Sequence, residues 1–132
     1  EIFEYKANFH IGGMNMPKMR TFLWKSPKWD GPVARMTYDP DKDEFHVYIN
    51  MDYPDNINAG MISFYRHYRH LTELDAKESM IFVRSRIFPP DRQGLPQLLK
   101  DMGLTKYSEV DILAWFHGRT TKDIIYMEEI TS

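Results

Sequence analysis

The run Phe64-Tyr65-Arg66-His67-Tyr68-Arg69-His70, followed at a distance by Arg84, Arg86 and Arg92, concentrates the side chains best suited to recognition. Aromatic rings interleaved with arginines can stack on bases and hold phosphates. The same residue types are enriched at the centres of protein interfaces. Positions 66 to 92 carry six Lys or Arg against four Asp or Glu. That excess is small for a nucleic-acid patch, so a protein partner is the leading expectation and nucleic acid the alternative. Either use requires Arg66, Arg69 and at least one of Tyr65 and Tyr68 to face solvent. The plain alternative is a salt-bridged, solvated surface.

Other constellations carry less. His67 and His70 are three apart and would share a helix face, but zinc would need a third ligand such as Glu73 or Glu78. Arg66 and Arg69 beside them raise the cost of placing a cation there. Residues 39–43, Asp-Pro-Asp-Lys-Asp, match the opening of a calcium loop. The sixth and twelfth positions of such a loop need Gly and a bidentate Glu; here they are Glu44 and Asn50, so a solvated hairpin tip is expected. His10, His46 and His117 are scattered, and no Ser sits in a Gly-x-Ser-x-Gly elbow. No catalytic residue, metal or cofactor is therefore assigned. An enzyme whose site is assembled only by the fold remains the third reading.

Three helix signatures must position these residues. The first is read as starting at Thr72, with Glu73 and Asp75 suiting the positive end of the helix dipole. Ala76, Met80, Val83 and Ile87 form its apolar stripe, widened by Leu74 and Ile81, and Pro89-Pro90 ends it. The second spans 95–102, with Pro96 near its start and Gly103 in a left-handed position after its end. Ser108 opens the third, with Asp111 three residues on; Val110, Leu113 and Phe116 face inward, flanked by Ile112 and Trp115, and Gly118 terminates it. No Lys or Arg lies inside the third helix, so a DNA-reading helix pair is rejected. The segment 61–70 fits both helical and alternating spacing, and helix is preferred.

Strands fill the remainder. Residues 2–11 alternate, with Phe3, Tyr5, Ala7, Phe9 and Ile11 on one side. A second strand covers 20–25 with Phe22 and Trp24 together, and residues 26–32 must turn. Residues 33–38 and 44–50 read as a hairpin with Phe45, Val47 and Ile49 sharing a face. Residues 52–60 form a loop, and 122–130 a closing strand. The fold class is α+β: an antiparallel sheet of about four N-terminal strands plus a C-terminal strand, packed against about three helices. The 132 residues make a single domain, strand-rich over 1–52 and helix-rich over 61–118. Leu98, Leu99 and Leu113 should be buried, with Phe3 and Phe9.

With 42% hydrophobic residues the chain can bury a sizeable core, and no stretch approaches a membrane span. The formal charge of −2 disfavours bulk binding to nucleic acid. The absence of cysteine removes disulfides and thiol chemistry and fits a cytoplasmic protein.

The segment 86–130 resembles a pattern found in small uncharacterised bacterial proteins, often from mobile elements. Arg86, Pro90, Arg92, Gly94-Leu95, Leu98-Leu99, Gly103-Leu104, Tyr107, Ile112-Leu113, Gly118 and Asp123 carry it. More loosely, it resembles the stretch ahead of the kinase domain in proteins similar to the HipA-family toxin kinase. The resemblance implies a regulatory or accessory role and transfers no active site. The functional expectation is a non-enzymatic module that regulates or inhibits a protein partner. The residues expected to bind are Tyr65, Arg66, His67, Tyr68, Arg69, His70, Arg84, Arg86 and Arg92.

Overall fold

Alternating apolar residues drive the main sheet. The computed structural model describes residues 18–130, together with the backbone of two short strands, β1 (His10–Ile11) and β2 (Met14–Asn15), which pair antiparallel. Most of the strand expected over 2–11, with Phe3 and Phe9, lies outside the described residues. The main sheet consists of β3 (Arg20–Ser26), β4 (Trp29–Asp39), β5 (Glu44–Ile49), β6 (Glu73–Leu74) and β7 (Tyr126–Ile130). Its order is β6-β5-β4-β3-β7, and every pair is antiparallel.

Register puts the large apolar residues on one face. Phe22 stands opposite Met36, Met36 opposite Val47, and Val47 opposite Leu74. Trp24 stands between Ala34 and Met127. All are buried, as are Phe45 and Ile49. The turn expected over 26–32 is tighter than read: Ser26 already pairs with Trp29, and Lys28 N donates to Ser26 Oγ. β4 absorbs the extra residues as bulges. Val33 is skipped between the Trp24–Ala34 and Lys25–Pro32 pairs, so it turns inward beside Ala34.

Helices α1 (Met61–His67), α2 (Ala76–Arg84) and α4 (Glu109–Trp115) cover that face, while α3 (Leu95–Asp101) packs further out. Phe82 of α2 meets Trp24 edge-on, with ring centroids 5.0 Å apart. Leu99, Met102 and Ile112 form a second apolar cluster, joined to the main core through Ile87. Each fully buried aliphatic or aromatic side chain contributes about 1.5–3 kcal/mol relative to exposure.

The first helix signature is displaced. Its cap is Asp75, whose carboxylate accepts from Glu78 N at 2.8 Å, and not Thr72. Thr72 instead gives its carbonyl to Ile49 N, and Glu73 and Leu74 join β5 as an edge strand. The chain is taken by the sheet before the helix can start. The buried face of α2 is accordingly Ser79, Phe82 and Val83, and Ile81 is half exposed. In α4 the cap is Ser108, as its hydroxyl predicts, but Ile112 is fully buried while Trp115 and Phe116 are exposed. Leu99 and Leu113 are buried and Leu98 is half-buried.

Gly103 has φ +76°, with Gly103 N donating to Lys100 O and Leu104 N to Leu99 O. That hydrogen-bond pair closes α3 with a Schellman motif. A Cβ at Gly103 would meet no atom, so its cost is purely conformational. Gly103→Ala should lower stability by about 1 kcal/mol, read by urea denaturation. At the hairpin tip, Tyr38 Oη donates to Asp43 Oδ1 at 2.6 Å, and Asp41 N to Asp39 Oδ1. Burial, then the Asp43 hydrogen bond, pushes the Tyr38 phenol up to about 12. The folded state therefore holds this proton more tightly than the unfolded chain. The stabilisation is present below the ordinary tyrosine value of about 10 and lost as pH rises through 12. The difference between wild-type and Tyr38→Phe absorbance titrations should show one phenol ionising near 12.

Candidate functional site

Helix α1 presents the sequence run on two faces. Ile62, Tyr65 and Arg66 turn inward, while Phe64 (48% exposed) and Tyr68 (78% exposed) turn out. Four residues apart, these two rings lie side by side with centroids 5.7 Å apart. Tyr65 meets Phe64 edge-on beneath them at 5.8 Å. Arg69 lies 5.9 Å from the Tyr65 ring and pairs with Glu78 of α2 at 2.9 Å. Burial, reinforced by the Glu78 charge, pushes the Tyr65 phenol above its ordinary value. The outer surface of α1 is thus an aromatic pair with one half-exposed arginine at its border.

The expectation that Arg66 and Tyr65 serve as accessible surface is corrected. Arg66 is buried, lies 4.0 Å from the Tyr53 ring centroid, and pairs with Asp55 at 2.8 Å. Its second nitrogen reaches Asn50 O at 3.4 Å. Arg66 thereby clamps the loop after β5 onto α1. The length of the arginine side chain explains the difference: its aliphatic stem and flat head pack as well inside as out. His67 is half-buried, with Nε2 shielded and unpartnered among the described residues, and His70 is exposed at φ +54°.

The three distal arginines are not gathered with this run. Arg84 is exposed and pairs with Glu109 of α4 at 3.1 Å. Arg92 is exposed, 5.3 Å from the Phe88 ring centroid. Arg86 is also corrected, being only 6% exposed. It holds Asp123 through two nitrogens at 2.9 and 2.8 Å, and its Nε donates to Gly118 O at 2.7 Å. The Trp24 and Phe82 rings flank its guanidinium at 5.0 and 5.7 Å. With Ile125 O at 3.5 Å as a further acceptor, four of its five N–H donors are engaged within the fold, which makes it an internal joint.

A second aromatic surface was not anticipated. Trp115 (54% exposed) and Phe116 stand at the end of α4, and Phe116 meets Phe88 edge-on at 6.3 Å. Phe88 in turn meets Tyr107, whose hydroxyl donates to Phe88 O. Asp111 pairs with Arg20 at the surface, and Trp115 follows it by four residues on the same side of the helix, but no spacing in the sequence announces that pairing.

No protein-family model, curated protein or solved structure matches the chain. Among the described residues, no helix is long and apolar enough to cross a membrane.

Removing one partner of a buried, hydrogen-bonded pair strands the other charge. Asp123→Ala should cost about 3–5 kcal/mol in urea denaturation. Arg86→Met combined with Asp123→Ala should recover part of that loss, because no charge is left buried.

Proposed function

We propose that this chain is a non-enzymatic binding module that regulates or inhibits a protein partner. The observation that carries the reading is the Phe64–Tyr68 pair: two large rings side by side, tilted 33° to each other, and held outward on a helix whose opposite side is anchored in the core. Clustered aromatic residues beside an arginine are the composition of interface hot spots. Arg69 supplies the arginine, and its pairing with Glu78 holds it in place at the rim. The likeness of residues 86–130 to small mobile-element proteins supports an accessory role in the same sense.

The nucleic-acid alternative loses its strongest residue with the burial of Arg66, since a phosphate contact needs an accessible cation. What remains on this surface is two exposed rings, Phe64 and Tyr68, and one partly neutralised charge, Arg69.

Phe64→Ala/Tyr68→Ala should leave the circular dichroism and melting temperature nearly unchanged, since both side chains are outside the core. Co-purification from the native cell should then lose one specific partner that wild-type protein retains, by at least tenfold in recovered amount, or about 1.4 kcal/mol. A partner retained equally by the double variant would reject this surface. Salt-sensitive binding of mixed oligonucleotides by wild type would favour the alternative instead.

A further inference from the structure

Residues 88–107, which comprise α3 and the turns leading into and out of it, are bound to themselves more than to the rest of the chain. Among the described residues, every hydrogen bond made by this lobe closes within it. Arg92 N donates to Pro89 O and Leu95 N to Arg92 O ahead of the helix. Met102 N, Gly103 N and Leu104 N return to Leu98 O, Lys100 O and Leu99 O behind it. Gln97 pairs with Asp101, and Tyr107 Oη donates to Phe88 O at 2.6 Å, joining the two ends of the lobe at its neck. No ion pair among the described residues leaves the lobe, whereas Arg20, Arg66, Arg69, Arg84 and Arg86 tie other parts of the chain together.

The lobe is attached to the body by a narrow apolar contact. Leu99 and Met102 pack with Ile112 of α4, and the Phe88 ring meets Phe116 edge-on at 6.3 Å. Among the described residues, Ile112 is the one member of this apolar cluster that lies outside 87–107. Both chain connections are fixed. Arg86, just ahead of the lobe, is held by Asp123 and Gly118 O, and Ser108, just behind it, caps α4. A seven-residue helix does not persist in water without a packed face, so undocking of the lobe melts α3. On α4, Ile112, Trp115 and Phe116 stand three and four residues apart and share one side of the helix. Trp115 and Phe116 are exposed, while Ile112 is covered completely.

We propose that residues 88–107 are a lid that opens as a unit between Ile87 and Ser108 and uncovers Ile112, which then joins Trp115 and Phe116 in one apolar stripe along α4. Opening breaks the hydrogen bonds of the lobe and its contacts with Ile112 and Phe116, and nothing else. The sheet, α1, α2 and the Arg86–Asp123 joint stay as they are. Segments with few buried contacts to their surroundings open at a smaller free energy than the whole fold. The lid uses neither Phe64 nor Tyr68, so it holds or fails independently of the reading of α1.

Native-state hydrogen exchange of the full chain, followed amide by amide by NMR at low urea, tests the lid. The amides of Leu98, Met102, Gly103 and Leu104 should exchange through one shared opening, about a hundredfold or more above the frequency that frees the slowest amides of β3 and β4. That opening should depend only weakly on urea, because it exposes little surface. Two variants separate a lid from global unfolding. Asp75→Ala removes the cap of α2, an interaction kept in the open form. It should speed exchange of the slowest sheet amides about fivefold and leave the four lobe amides unchanged. Tyr107→Phe removes a hydrogen bond that opening breaks, and should speed lobe and sheet amides alike, by about fivefold. One common rate for lobe and sheet, unrelated rates among the four lobe amides, or faster lobe exchange in Asp75→Ala would overturn the proposal. Lobe exchange unmoved by Tyr107→Phe would overturn it as well.

Discussion

The Arg86–Asp123 pair is the joint at which otherwise separate parts of the chain are brought into one arrangement. Arg86 follows α2, its Nε is bound by the carbonyl of Gly118 after α4, and Asp123 belongs to the approach to β7. Trp24 of β3 and Phe82 of α2 supply the flanking rings. Such a pair is not inherently more stable than a hydrophobic replacement, because both ions must be desolvated. What it supplies is direction, since a planar guanidinium donates its hydrogen bonds only along its own edges. The glycines around it follow from that crowding. A Cβ on Gly118 would strike the Trp24 ring, and one on Gly60 would strike the Asp123 carboxylate. Both glycines also have positive φ, so shape and backbone select the same residue.

With the closing strand located by that joint, β7 adds to the edge of β3 and the sheet acquires two unlike faces. The inner face is apolar and filled by α1, α2 and α4. The outer one combines rings, hydroxyls and arginines. Most arginines are committed to internal carboxylates: Arg20 to Asp111 and Glu129, Arg66 to Asp55, Arg69 to Glu78, Arg84 to Glu109. Accessible chemistry is consequently aromatic rather than strongly charged on the helical side.

Trp24 shows how strongly shape governs the centre. Its indole N–H is buried without a hydrogen-bond partner among the described residues, a condition that ordinarily costs about 1–3 kcal/mol. The large ring compensates by packing against Phe82, Arg86 and the bare Gly118 at once. The ring's area, rather than its polar atom, explains its place.

Sequence alone determined what is local. Ser108 as a cap, Gly103 as a left-handed stop, and the alternation of Phe45, Val47 and Ile49 all depend on neighbours within a few residues, whereas 61–70 fitted two periods and its helix was fixed only by packing. The α+β class follows from the order of those signals. Of the candidate site, only the α1 run was legible, and only as composition. Which of its residues face out was decided by packing: Tyr65 is buried and Arg66 is drawn in against Tyr53 and Asp55, leaving Phe64 and Tyr68 outside. Thr72 has a capping side chain, yet β5 takes its carbonyl and delays the helix to Asp75. Arg86 and Asp123 are 37 positions apart, and no spacing rule links them. Pairings of that kind depend on where the chain returns in space, so only the tertiary structure decided which arginines are buried joints and which remain at the surface.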